Sequence, residues 1–353
     1  MLRCNKKKTL VYGSGSFYQS HKVEMHNEFE VVAFCDTYRE GIQDNIPCIK
    51  PSREMLEKYE CDIILIMVEN THTFFEIVNL LRGVLEKQDL AKIVWGIVKY
   101  GDQKESFSNL LVLPNEKIQI TVNGISLYIS TEDQMNNVLD TLLNQCYCYH
   151  ISNGKKDIVI DVGMNIADST LYFLNNECVE KVYGYEPFQK TFSDAKENLK
   201  DYVVNSRLEI YQYGLSTKNE RRILQFQSQM SCGQSTDQDS NEKAQRNYES
   251  WGLLEKGMVE ENIEVKDASE EIRRIVKRHP DNNIVLKMDC EGEEYGIIHI
   301  LFEYGILQFI EVIMLEWHYK GNKEITSIFR QAGFSYFCYD KNSYTGLVYA
   351  WKS

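Results

Sequence analysis

The chain has 353 residues, of which 43% are hydrophobic, 26% charged and 12% aromatic, a composition that argues against a disordered or fibrous protein. At roughly 150 residues per domain, this length predicts about two domains. Acidic residues outnumber Lys and Arg by 52 to 39, which argues against a nucleic acid as partner, because phosphates are bound by clustered positive charge.

The ten cysteines are scattered and form no CxxC pair, so neither a zinc site nor a disulfide framework is predicted. No run of about 18 apolar residues predicts a membrane span, and the apolar run near the N-terminus is too short for a signal peptide. From these patterns we expect a cytoplasmic protein.

The first hundred residues predict a small Rossmann-like domain. A short strand at residues 9–12 runs into Gly13 and Gly15, and a second strand at residues 30–35 ends at Asp36. Glycines let backbone N–H groups approach a phosphate at a helix start, and a carboxylate at the next strand tip can bind ribose hydroxyls. The pattern favours either a bound nucleotide or nucleotide-sugar, or a turn kept for packing, since the third glycine of the full fingerprint is missing.

The alternation of strands and helices continues through this domain. Further elements are predicted as a strand at residues 61–68, a helix at 73–86 and a strand at 92–98, as expected of a parallel sheet buried on both faces. We therefore predict a first domain at residues 1–99 and a polar linker at 100–116.

The second domain is predicted at residues 117–353. It begins with two alternating strands joined at Asn123 and Gly124, a dipeptide that favours a tight hairpin turn. A helix at residues 132–145 follows.

A glycine turn and an acid recur in this domain. The buried strand at residues 157–162 opens into Gly163, and the strand at 181–185 ends at Glu186, with Phe188 close behind. This is the geometry needed to hold a nucleoside, with the acid on the ribose hydroxyls and an aromatic ring beside the base.

The end of the sheet separates two classes of enzyme. Strands are predicted at residues 207–213, 284–288 and 312–315, and an antiparallel pair at 334–339 and 347–351 closes the chain. A mostly parallel sheet that ends in such a hairpin is expected of S-adenosylmethionine-dependent methyltransferases, whereas dehydrogenase sheets usually finish parallel.

Five segments carry a family resemblance over residues 147–353. In chain order they are DVGMNIADSTLYFL, VYGYEPFQKTFSDAKENL, VVNSRLEIYQYGLS, VLKMDCEGEEYGII and IEVIMLEWH. They resemble the successive motifs of the FkbM family of methyltransferases. The predicted fold class is therefore α/β with two Rossmann-like domains, the second a class I methyltransferase sheet that ends in an antiparallel hairpin.

The resemblance implies S-adenosylmethionine-dependent methyl transfer to a hydroxyl of a sugar, a glycan precursor or a related metabolite. Carried over by motif, seven positions would line in turn the methionine part, the ribose and the adenine of the cofactor: Asp161, Gly163 and Asn165, then Glu186, then Phe188, Tyr213 and Gly214. Ala167 departs from the pattern, which usually has a second glycine there. Its methyl group is either harmless at the helix start or crowds the cofactor.

Ionisable side chains are predicted to converge where two strands end. Because a strand alternates sides, Lys287, Asp289 and Glu291 share one side at the carboxyl edge of the sheet, where ligands of α/β folds bind. The alternative is that Lys287 simply pairs with an acid. The adjacent strand end supplies Glu316 and His318.

Methyl transfer to oxygen needs alignment and a group that takes the hydroxyl proton. We predict His318, Asp289, Glu316 and Lys287 as catalytic residues. His318 is the first candidate base because its unperturbed pKa of about 6.5 lies near working pH, Asp289 is the rival, and a merely hydrogen-bonded histidine is the alternative. The prediction is a metal-free site, with a magnesium-type ion on these carboxylates, Glu291 and His318 as the other option.

A long polar segment at residues 227–263 contains Tyr248 and Trp251. It is either a lid over the acceptor or a surface insertion. A second class of function also remains open, in which the departures at Ala167 and in the N-terminal glycine pattern leave a cofactor- or nucleotide-binding scaffold without turnover.

Overall fold

The structure is a computed structural model of the chain. The residues that it describes are 6–100, 103–106, 110–202, 206–227, 234–237, 240, 243 and 258–352. Most of the polar segment predicted as a lid, with Tyr248 and Trp251, lies outside them. The chain divides into two compact units, Met1–Asn144 and Gln145–Ser353. Within the described residues, no helix combines the length and the apolar character needed to cross a membrane.

The first unit is built on a six-stranded sheet. Its strands are β1 (Lys7–Tyr12), β2 (Phe29–Cys35), β3 (Gly41–Gln43), β4 (Ile46–Ile49), β5 (Ile63–Ile66) and β6 (Ile93–Trp95), in the order β3-β4-β2-β1-β5-β6. The accompanying helices are α1 (Ser16–Glu28), α2 (Arg53–Glu57), α3 (Thr71–Val84) and the 3-10 turn Asp89–Lys92. Parallel pairing of β1 with both β2 and β5 confirms the predicted Rossmann-like unit.

The predicted hairpin belongs to this first unit and not to the second. The elements concerned are β7 (Ile97–Tyr100), β8 (Gln103–Ser106), β9 (Leu110–Val112), β10 (Ile118–Val122), β11 (Ile125–Ile129) and α4 (Glu132–Val138), which continues as the π-helical turn Leu139–Leu143. Positive φ at Asn123 and Gly124 makes the tight turn that this dipeptide favours. The placement differs from the predicted boundary because β9 packs beside β6 and α4 beside α3.

The second unit carries a seven-stranded sheet and a smaller three-stranded one. Its strands are β12 (Asp157–Val162), β13 (Val179–Tyr185), β14 (Leu208–Tyr211), β15 (Gly214–Ser216), β16 (Glu220–Gln227), β17 (Met258–Asp267), β18 (Asn283–Met288), β19 (Val312–His318), β20 (Ser335–Asp340) and β21 (Thr345–Trp351). The large sheet runs β14-β13-β12-β18-β19-β21-β20. Its first five strands are parallel, and β21 is antiparallel to both neighbours, which confirms the predicted closing hairpin.

Helices cover both faces of this sheet. They are α5 (Asp168–Leu174), α6 (Gln189–Asn198), α7 (Ala268–Arg278), α8 (Glu294–Glu303) and α9 (Lys323–Gln331), with a 3-10 turn at Leu307–Phe309. The central strands β12 and β18 are buried at every position, as expected of parallel strands covered on both faces. Their carboxyl ends, with those of β13 and β19, meet at one edge of the sheet.

Candidate active site

The turn after β12 is held tightly between two neighbouring strands. Gly163 has φ +74°, and a Cβ atom there would lie 1.8 Å from the backbone oxygen of Asp289. The N–H groups of Gly163 and Met164 both donate to the carbonyl of Tyr185, at 3.0 Å each. Only glycine therefore allows the loops after β12 and β18 to approach this closely.

Glu186 lies at the tip of β13, beside this turn. One carboxylate oxygen accepts from the Asn165 N–H at 3.2 Å and the other from the Phe188 N–H at 3.0 Å. The residue is only 5% exposed. Burial raises the pKa of its carboxyl to about 8, although these N–H groups and Lys287 act in the opposite direction.

Asp161 and Lys287 form a buried ion pair beneath the turn. The Lys287 Nζ lies 3.0 Å from Asp161 Oδ1 and donates to the Gly163 carbonyl at 2.7 Å. The hydroxyls of Ser169 and Thr170 donate to the other Asp161 oxygen at 2.7 Å each. Burial lowers the pKa of Lys287, but Asp161 and neighbouring carboxylates raise it by more, so the ammonium stays charged.

These contacts give the pair a supporting role in the turn. Asp161 is completely buried, and the structure matches the alternative in which Lys287 pairs with an acid. The cofactor contact of Asp161 and the catalytic role of Lys287 stay predictions.

The three positions predicted near adenine occupy different environments. Phe188 is buried in a cluster with Leu224, Ile263 and Val265. The Tyr213 hydroxyl donates to Glu271 at 3.2 Å, and the Lys266 Nζ lies 4.0 Å from the centre of its ring. Gly214 lies against Pro187 and Val265, where a Cβ atom would meet side-chain carbons at 3.3 to 3.6 Å. Gly214 thus brings the start of β15 next to the Glu186-Pro187 corner.

Ala167 has φ +74°, in the left-handed region, directly before α5. It is 0% exposed, so its methyl group packs inside the protein and does not reach a ligand surface. This placement favours the harmless one of the two predicted outcomes.

We therefore expect Ala167→Gly to leave the affinity for S-adenosylhomocysteine within about twofold, or about 0.4 kcal/mol, in calorimetric titration. The free energy of unfolding should also change little, because relief of about 1 kcal/mol of left-handed strain is offset by the greater chain entropy of glycine and by loss of a buried methyl group, about 0.8 kcal/mol. A tenfold gain in affinity would show instead that the methyl group crowds the cofactor.

The predicted cluster of ionisable groups forms where β18 and β19 end. The His318 Nε2 lies 3.5 Å from Glu291 Oε2, 3.8 Å from Asp289 Oδ1 and 4.0 Å from Glu316 Oε1. The Lys341 Nζ and the Thr345 hydroxyl contact Glu316 at 3.0 and 2.6 Å. The sequence placed these strand ends together, and the structure brings the side chains within contact distance.

Glu294, at the start of α8, is a site residue that the sequence analysis missed. Its Oε1 accepts from the His318 backbone N–H at 2.8 Å and lies 3.1 Å from His318 Nδ1. Its Oε2 accepts from the Gly292 N–H at 2.7 Å. Glu294 is completely buried, so it fixes the orientation of the imidazole ring. The residue stands inside one of the five motifs, but strand alternation gave no reason to assign it a role.

Tyr147 was missed as well. Its hydroxyl donates to Asp289 Oδ2 at 3.2 Å, and the Lys287 Nζ lies 5.2 Å from the centre of its ring. No motif marks a tyrosine 142 positions before its partner.

The charges in the cluster bear on the predicted base. Burial lowers the pKa of His318, but Glu291 and Glu294 raise it by more, to well above its usual value. Burial raises the pKa of Asp289, but Lys287 and His318 lower it by more. These shifts in pKa favour a protonated imidazole beside an ionised Asp289 carboxylate, so the unperturbed pKa on which His318 is predicted as base does not apply.

Asp36, the acid of the N-terminal glycine pattern, is occupied by its own loop. It accepts from the Ser14 N–H and hydroxyl at 3.3 and 2.8 Å, and from the N–H groups of Tyr38 and Arg39 at 2.9 and 3.1 Å. A Cβ atom at Gly13 would lie 2.9 Å from the Met67 carbonyl oxygen. These contacts support a turn kept for packing, and nucleotide binding there stays a prediction.

Residues 161–336 match the model of the FkbM methyltransferase domain. The C-terminal part of the chain belongs to the FkbM methyltransferase family. This confirms the resemblance predicted from the five motifs, and the FkbM domain contains the glycine turn, Glu186 and the cluster around His318. Family membership supports methyl transfer from S-adenosylmethionine in general.

Several solved structures are similar to this FkbM chain at low identity. An FkbM methyltransferase from Methylobacillus flagellatus is 13% identical, with 98% of this chain and 90% of that chain covered and a TM-score of 0.37. A Streptococcus pneumoniae protein proposed to be a tRNA (m1A22) methyltransferase, in complex with S-adenosyl-L-methionine, is 12% identical, with coverages of 56% and 68% and a TM-score of 0.32. A comparison with curated protein sequences gave no match.

Proposed function

We propose that this protein is an S-adenosylmethionine-dependent O-methyltransferase that acts on a hydroxyl of a sugar, a glycan precursor or a related metabolite. The observation that carries the proposal is the position of the Asp289 and His318 cluster, which follows the strand adjacent to the Gly163 turn. The family supports methyl transfer, and a cluster of proton-accepting groups supports oxygen as the acceptor atom.

Two features of the chain suit the cofactor. The Gly163 turn has no room for a side chain on the protein side, and Glu186 keeps a second lone pair on each oxygen after accepting from the backbone, enough for two ribose hydroxyls. Gly163 and Asn165 would hold the methionine part. S-adenosylmethionine supplies a methyl group that is already activated on a sulfonium.

The chain's own task is then to align the acceptor and remove its proton. Asp289 is ionised and its side chain is 28% exposed, so a carboxylate of this cluster is available to take the hydroxyl proton. Tyr147 holds the second oxygen of Asp289. His318, oriented by Glu294, is a positioning residue that adds positive charge next to the reacting oxygen.

The proposal is tested by incubating the protein with methyl-labelled S-adenosylmethionine and a panel of nucleotide-sugars and oligosaccharide precursors. We expect S-adenosylhomocysteine and one labelled methyl ether, detected by mass spectrometry. Tight cofactor binding with no product from any hydroxyl compound would favour the non-catalytic scaffold instead.

Asp289→Asn is expected to slow transfer at least about 100-fold, the usual contribution of a proton-accepting group, and to leave S-adenosylhomocysteine affinity unchanged. Asn keeps the side-chain shape but cannot take the proton. Steady-state rates and calorimetry on the same preparation separate the two effects, with the matched surface variant Asp281→Asn as control. Transfer at the wild-type rate would exclude Asp289 as the base.

A further inference from the structure

The cluster at the ends of β18 and β19 has the spacing of a cation site. One ligand atom from each of Asp289, Glu291 and His318 lies within 4.8 Å of the other two. Ligand atoms bound at about 2.1 Å in octahedral geometry lie about 3.0 to 4.2 Å apart, and the His318 Nε2 is 3.5 and 3.8 Å from the two carboxylates.

The orientation of His318 is a second, independent observation. Its side chain is 8% exposed, and buried Glu294 holds its Nδ1, which leaves Nε2 aimed at the carboxylates. These oxygens lie 3.5 to 4.0 Å away, beyond the usual length of an N–H···O hydrogen bond. A carboxylate on one imidazole nitrogen with the other nitrogen directed into a ligand set is the arrangement of metal-binding histidines.

The charge around the cluster also favours a cation. Two lysines lie close to these carboxylates, but each forms an ion pair with another acid: Lys341 with Glu316, and Lys287 with Asp161. Carboxylates of Asp289, Glu291 and Glu294 all lie within 4 Å of the imidazole nitrogens of His318. A divalent ion would balance these carboxylates.

We propose that Asp289, Glu291 and His318 bind one divalent cation of the Mn²⁺ class, with the remaining positions open. Two carboxylates and one imidazole suit an ion that accepts both oxygen and nitrogen ligands. The cation site extends the proposed function, and the catalytic role of the ion rests on that function. When bound, the ion would take the place of the imidazolium proton of His318 and would draw electron density from the acceptor hydroxyl. The hydroxyl proton would then pass to the Asp289 carboxylate as the O–CH₃ bond forms and the S–CH₃ bond breaks, which releases S-adenosylhomocysteine.

Binding is tested with Mn²⁺ alone, by electron paramagnetic resonance of the full chain after dialysis against a chelator. Bound Mn²⁺ loses the six-line signal of the free ion. We expect one ion per chain, and we expect Asp289→Asn, Glu291→Gln and His318→Gln each to raise the Kd at least about tenfold. His299→Gln is the matched control, because His299 lies 3.7 Å from the Glu303 carboxylate on an exposed helix face. This substitution should leave the Kd for Mn²⁺ unchanged.

Thermal unfolding of each variant shows which are folded. Mn²⁺ should raise the Tm of the wild-type protein and of His299→Gln, but not the Tm of the three site variants. If His318→Gln does not fold, the Kd values of Asp289→Asn and Glu291→Gln test the proposed site. Absence of signal loss with the wild-type protein, or equal loss with wild type and the carboxylate variants, overturns the proposal. S-adenosylhomocysteine binding is measured in the same samples without the cation. This measurement tests the proposed function separately from the proposed cation site.

Discussion

Glu186→Gln is expected to weaken S-adenosylhomocysteine binding by about 10- to 100-fold at pH 8.5, because a hydrogen bond to a charged acceptor contributes about 1.5 to 3 kcal/mol. The amide keeps the size of the side chain but replaces one acceptor by a donor. Calorimetric titration measures the change. Glu180→Gln, at the opposite end of β13, is the matched control and should bind as the wild type does.

The same carboxyl predicts a pH dependence. Burial raises the pKa of Glu186 to about 8 from an ordinary 4.5, so its contribution to stability is fully present below pH 4.5 and is lost as the pH rises through 8, a change on the order of a few kcal/mol. Ribose hydroxyls favour the ionised form, so affinity should rise up to about tenfold per pH unit between pH 6 and 8 and then level off.

Glu186→Gln should remove both trends. Urea unfolding at pH 5 and 8.5, with calorimetry at pH 6, 7, 8 and 9, measures them. A wild-type affinity that does not change with pH would contradict ribose binding by this carboxylate.

Gly163→Ala is expected to destabilise the protein by about 2 to 5 kcal/mol. Left-handed φ costs an alanine about 1 to 2 kcal/mol, and forcing a methyl group into the Asp289 backbone adds about 1 to 3 kcal/mol or more. Free energies of unfolding from urea titration give the total.

Gly154 provides the control that separates these two costs. It has nearly the same φ, +77°, but no atom lies within 4 Å of the position of an added Cβ. Gly154→Ala should therefore cost only about 1 kcal/mol. Equal losses for the two variants would show that the loops after β12 and β18 are not in close contact.

The parts of the site that the sequence predicts are those with local signals. Gly163 and Glu186 each follow a recognisable buried strand, and parallel strands present their carboxyl ends at one edge. The same rule predicts that Asp289 and His318 lie together. The closing hairpin followed from two alternating segments around a turn.

The remaining parts depend on packing that no local pattern encodes. Glu294 contacts His318 from the first turn of a helix, and Tyr147 reaches Asp289 across 142 positions. The pKa of His318 depends on Glu291 and Glu294, which the stretch after β18 supplies, so its unperturbed pKa is a poor guide. The hairpin at Asn123 was assigned to the wrong unit because its strand pattern does not say which sheet it packs beside.

The buried pair of Asp161 and Lys287 also constrains how the sheet assembles. The two residues are direct partners in the parallel ladder between β12 and β18. A slip of one residue would turn the lysine to the opposite face, and a slip of two would leave an ammonium ion stranded in the interior, which is strongly destabilising. The ion pair thus stabilises the native register of β12 against β18. A shifted register, which would move Gly163 away from Asp289, is destabilised even in the absence of a ligand.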